Sequence, residues 1–66
     1  MLASSQAKEI VREFLDLREL PYTRLTARID VEHLIWVKVH GWKPSIYARE
    51  LDKLVRKHGF RWEVGK

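Results

Sequence analysis

His33, His40 and His58 are the only side chains whose ordinary pKa lies near neutrality, which makes them the first candidates for moving a proton. Their spacing gives them little to work with. No two stand three or four residues apart, the separation that sets a pair of imidazoles on one helical face as metal ligands. The chain has no cysteine, which excludes thiolate metal sites and disulfides and fits a reducing compartment. Ser4, Ser5 and Ser45 each precede an amphipathic run and are placed as helix caps rather than nucleophiles. No two carboxylates are spaced to divide the roles of acid and base. These residues predict a protein that is not an enzyme, with no catalytic residue, no metal and no cofactor. The enzymatic alternative is a metal-free nuclease built from His40 with Lys38 and Arg28.

What remains is chemistry of attraction. The formal net charge is +4, and it is unevenly placed. Residues 1–20 carry three cations against four anions, residues 21–43 four against two, and residues 44–66 six against three. A basic surface held together by a fold is the footprint expected of a protein that meets phosphates or other polyanions, although surplus Lys and Arg also serve solubility alone.

The elements that must position these cations follow from periodicity. After Ser4 or Ser5, Ala7, Ile10, Val11, Phe14 and Leu17 recur at helical spacing, and Pro21 ends the helix by disfavouring helical geometry at Leu20. The period then changes to two. Leu25, Ala27 and Ile29 alternate with Arg24, Thr26 and Arg28, and Ile35, Val37 and Val39 alternate with Trp36, Lys38 and His40, which predicts two strands joined as a hairpin around residues 30–33. A second helix follows Ser45, with Ala48, Leu51, Leu54, Val55 and His58 on its apolar side. Gly59 fits the left-handed position that ends helices, and Phe60 can pack back on the last turn. Phe60, Trp62 and Val64 then alternate with Arg61 and Glu63 as a third strand.

The 66 residues, at 7.9 kDa, accommodate one α+β domain spanning 1–66, in the order α-β-β-α-β. A two-layer sandwich, with both helices on one face of a three-stranded sheet, buries all the apolar sides at once. An antiparallel sheet of strand order 2-1-3 is the favoured arrangement; order 1-2-3, with a parallel pair, is the alternative. The longest apolar run, Leu34 to Val37, is far short of the roughly 20 residues of a membrane helix, and no basic-then-apolar leader opens the chain. No membrane partner is expected, and a cytoplasmic location is.

The uncovered sheet face would then carry Arg24, Thr26, Arg28, Trp36, Lys38, His40, Arg61 and Glu63. Four basic residues around one large aromatic match the way sheet platforms hold single-stranded nucleic acid: bases stack on aromatic rings, and phosphates go to Lys and Arg. Arg24, Arg28, Trp36, Lys38, His40 and Arg61 are therefore the candidate nucleic-acid-binding residues. The same indole could instead anchor a protein partner or a homodimer, through this face or a sheet edge, or be covered by the chain's own loops. Arg49, Lys53, Arg56 and Lys57 form a secondary basic patch on the second helix, where cations are also favoured by the helix dipole. In the connector from His40 to Ser45, Trp42 is expected to plug the core. The amides that open the second helix, beside Lys43, are the weaker candidate for an anion.

The stretch Ala48 to Phe60 resembles the helix-then-Gly-Phe opening of small toxins of the HicA type, which have a double-stranded-RNA-binding-like fold. Those proteins continue into a Gly-Ser-His segment with no counterpart in this sequence and order their elements differently, so the resemblance assigns no residue a role.

Overall fold

The computed structural model describes residues 2–65, in the order α1 (Ser4–Leu17), β1 (Arg24–Ile29), β2 (Ile35–His40), α2 (Tyr47–Lys57) and β3 (Arg61–Gly65). Both helices pack on one face of a three-stranded sheet, α1 against β1 and β2 and α2 against β3, and they also touch each other. This is the expected two-layer α+β arrangement. Between the layers lie Ala7, Val11, Phe14 and Leu15 of α1, Val37 and Val39 of β2, Leu51 and Val55 of α2, and Trp42 and Phe60 from the connections.

The strand order is β1-β2-β3, with β1 and β2 antiparallel and β2 and β3 parallel. The favoured 2-1-3 order with an antiparallel sheet is thereby corrected to its alternative. The reason lies in how apolar each strand is. Val37 and Val39 of β2 are fully buried, whereas Leu25 and Ala27 of β1 are only half-buried. A strand that buries this much is best covered with a neighbour on each side, so β2 takes the centre. The β2-α2-β3 crossover then brings β3 directly to its free edge.

The ends of the elements show where local chemistry departs from expectation. Helix α1 begins one residue before the expected caps: Ala3 is the N-cap, and its N–H donates to the Gln6 side chain at 2.8 Å. It ends before Pro21 acts. Glu19 takes a left-handed φ of 54°, and the N–H groups of Glu19 and Leu20 return to the carbonyls of Asp16 and Leu15. Helix α2 ends by the same device. Gly59 sits at φ 82°, and the Gly59 and Phe60 N–H groups bond to the carbonyls of Arg56 and Val55, which turns the Phe60 ring into the core. His58, expected on the apolar side, is exposed at this terminus. Ser45 opens the turn that leads into α2, its carbonyl accepting the Ala48 N–H at 3.0 Å and its hydroxyl lying 3.5 Å from the Tyr47 nitrogen. Ile29 and Val64, expected on the covered face, are 60% and 47% exposed; Ile29 is the last residue of β1 and Val64 the last but one of β3, the two outer strands.

Candidate functional site

Side chains alternate between the faces of a sheet, and directly opposed residues share a face, so the register decides which residues meet on the uncovered side. Arg28, Trp36 and Arg61 form one row across the three strands. Thr26, Lys38 and Glu63 form the next, and Arg24, His40 and Gly65 the last. All six candidate residues thus occupy three successive rows of one face, with Trp36 on the middle strand between two arginines.

The turn between β1 and β2 fixes the indole. His33 takes a left-handed φ of 64° in a three-residue loop closed by Asp30 and Leu34, a geometry that supplies the hairpin without the usual Asn-Gly. One oxygen of Asp30 accepts the backbone N–H groups of Glu32 and Leu34 at 2.9 and 3.0 Å, and the other accepts the Trp36 indole N–H at 2.7 Å. The Leu34 N–H and the Trp36 indole, helped by the Glu32 N–H and the charge of Arg28, hold the Asp30 carboxyl below its ordinary 3.8 against a weaker effect of burial. The ring edge is therefore pinned at the turn, and the ring is half-buried.

Arg28 reaches across the face. Its Nε donates to Glu63 Oε2 at 2.9 Å, and its guanidinium carbon stands 5.1 Å from the centre of the Trp36 ring. Among the described residues, Arg12, Arg18 and Arg56 are also ion-paired, with Glu9, Glu50 and Asp52. Among the described residues, no carboxylate pairs with Arg24, Lys38 or Arg61; Arg61 instead donates to the carbonyl of Phe60 at 2.9 Å. The uncovered face consequently gathers three cations, Arg24, Lys38 and Arg61, that have no ion pair among the described residues.

His40 lies on this face but is only 8% exposed, and its Nε2 is 2.9 Å from Thr26 Oγ1. Gly65 explains the burial. A Cβ at that position would fall 2.5 Å from His40 Nδ1 and 2.7 Å from Lys38 Cγ, so the missing side chain lets the end of β3 close over the imidazole. The imidazole braces the platform from within, leaving Arg24 and Lys38 as the groups that reach solvent beside it.

Trp42 is a core residue, 4% exposed, as expected of a plug, with its ring 5.4 Å from that of Trp62. Trp62 donates from its indole to Asp52 on α2 at 3.3 Å. In the secondary patch, Arg49, Lys53 and Lys57 follow at intervals of four along the exposed side of α2 with no carboxylate partner among the described residues, whereas Arg56 is bound to Asp52. This patch faces away from the sheet, so no single flat surface includes both sets of cations.

Neither a family model, nor a curated protein, nor a solved structure matches this chain. Among the described residues, no three His, Asp or Glu side chains are grouped to hold a metal ion, and no helix is long and apolar enough to cross a membrane. The chemistry the face offers is an aromatic surface with a fixed edge, ringed by cations. Two of its determinants escape sequence reasoning. Asp30 looks like a turn residue only, and Glu63 looks like an isolated acid, because their partnerships depend on the turn geometry and on the strand order.

Proposed function

We propose that this chain is a small, non-enzymatic binding module that holds single-stranded nucleic acid on its uncovered sheet face. The observation that carries the reading is the row Arg28, Trp36, Arg61, with Lys38 and Arg24, which have no ion pair among the described residues, in the next two rows. A base stacks on the indole for about 1–3 kcal/mol whatever its sequence, and the adjoining phosphates meet Lys38, Arg24 and the arginines. Backbone contacts of this kind carry affinity without sequence choice. A flat sheet face suits a single strand, whose bases are splayed out, better than it suits a duplex, whose bases are stacked inside.

Anisotropy of labelled mixed-sequence oligonucleotides tests this. Three to four phosphate contacts give a slope of log K against log salt of about −2 to −3. Binding without salt dependence, or binding equally strong in Trp36→Ala, overturns the reading. Light scattering on the same samples detects the rival use of the face: a stable homodimer that occludes Trp36 and excludes the oligonucleotide.

A further inference from the structure

Arg28 and Glu63 sit on the two outer strands, which run about 10 Å apart, so a hydrogen bond between them has to pass over the middle strand. What it passes over is Trp36. Arg28 is the direct cross-strand neighbour of Trp36, and Glu63 lies two residues beyond Arg61, the indole's neighbour on the other side. The guanidinium is held with its carbon 5.1 Å from the ring centre, over the surface on which a base would have to stack. Glu63 also has a nearer choice. Lys38 is its direct cross-strand partner, yet the carboxylate bonds to Arg28, and Lys38 has no ion pair among the described residues.

Resting on the reading of this face given above, we propose that the Arg28–Glu63 pair is a cover over Trp36, opened when a phosphate takes Arg28 from Glu63. The site then accepts a base only together with an adjoining phosphate. Three features make the exchange easy. The pair is partly open to solvent, Arg28 being 51% and Glu63 28% exposed, and ion pairs open to water are weak. Only the Nε of the guanidinium bonds to the carboxylate, so the paired terminal nitrogens that bind a phosphate two-pronged are not engaged with it. Once released, Glu63 faces Lys38, and the negative charge is not stranded. The ligand class is accordingly nucleotides and single-stranded oligonucleotides, and free nucleosides are excluded.

The test compares two variants of equal charge change, Glu63→Gln on the cover and Glu13→Gln on the exposed side of α1. Glu63→Gln tightens binding of a labelled mixed-sequence 12-nucleotide strand about 3- to 10-fold more than Glu13→Gln does. The indole N–H resonance of Trp36, assigned by its loss in Trp36→Phe, gives a second readout. In the wild type it shifts with millimolar nucleoside 5′-monophosphate and not with the nucleoside; in Arg28→Ala, which lacks the cover, the nucleoside shifts it too. If the wild type binds the strand but Glu63→Gln gains no more than Glu13→Gln, or if nucleoside and monophosphate shift the wild-type resonance alike, the cover is wrong and the binding face stands. If the wild type binds no strand even at low salt, the binding face itself is wrong and the cover falls with it.

Discussion

Asp30 in the β1–β2 turn and Trp36 in the middle strand are joined by a 2.7 Å hydrogen bond from the indole N–H to the carboxylate, which makes the turn and the platform one unit. The same carboxylate satisfies two turn amides, so its ionisation supports the hairpin and the ring together. The folded chain holds this group below its ordinary 3.8, which means the unfolded chain binds the proton first as pH falls. The stabilisation is therefore complete above about pH 4 and is lost as pH drops through the lower folded value. Thermal melts of the wild type should show a fall in midpoint below about pH 4 that is smaller in Asp30→Asn, which starts lower at pH 7. Parallel pH profiles for the two proteins would refute the role given to this carboxylate.

Trp36 and Trp42 should separate cleanly when each is changed. Trp42 is buried among core residues, and truncating a buried aromatic to alanine costs about 3–5 kcal/mol, enough to unfold a marginal small domain. Trp42→Phe keeps most of the volume. It is expected to lower the melting midpoint while the folded protein keeps its affinity for oligonucleotides. Trp36→Ala is expected to do the reverse, with a modest loss of stability and a loss of about 1–3 kcal/mol in binding. Circular dichroism melts and anisotropy titrations on the same preparations decide this.

Glu19 and His33 hold left-handed backbone angles that glycine adopts without steric cost. Glu19 ends α1, and His33 closes the β1–β2 turn; both are exposed, and neither side chain has an ion pair among the described residues. Relief of strain, less the greater freedom that glycine gives the unfolded chain, should leave each of Glu19→Gly and His33→Gly about 0.5 kcal/mol more stable. In a domain of this size that raises the midpoint by about 2–4 °C. The two sites flank opposite ends of β1, so the double variant should add the two gains. A lower midpoint for either glycine variant would show that its side chain contributes more than the strain costs.

Legibility of the fold in the sequence followed the range of the interactions involved. Alternation and helical spacing are local, and they place every element within a few residues. Gly59 and Phe60 announced the end of α2 because the hydrogen bonds that close it span only five residues. Glu19 did not announce the end of α1, since nothing in its side chain favours a left-handed angle. Strand order was harder because it depends on which strand can bury most. The pointer was present in the apolar run from Leu34 to Val37, which suits the centre of a sheet better than its edge. That order bears directly on the site. In a 2-1-3 sheet Trp36 would stand on an edge with one arginine beside it; in the observed sheet it has Arg28 and Arg61 on either side, and Glu63 comes within reach of Arg28.

The basic side of α2 should contribute little to the binding of a single strand on the sheet. Lys53 and Lys57 face away from the sheet, and even the smallest extent of the molecule is 17 Å. At 0.15 M ionic strength charges are screened over about 8 Å, so cations on one side scarcely act on phosphates at the other. Lys53→Glu combined with Lys57→Glu should leave the affinity for a short single strand within about twofold at that salt. Arg24→Glu combined with Arg61→Glu, the same change in net charge made on the sheet face, should abolish it. At 0.01 M salt the screening length is about 30 Å, and the α2 variant should then weaken binding as well. Equal losses from the two double variants at 0.15 M would mean that net charge, rather than the face around Trp36, attracts the strand.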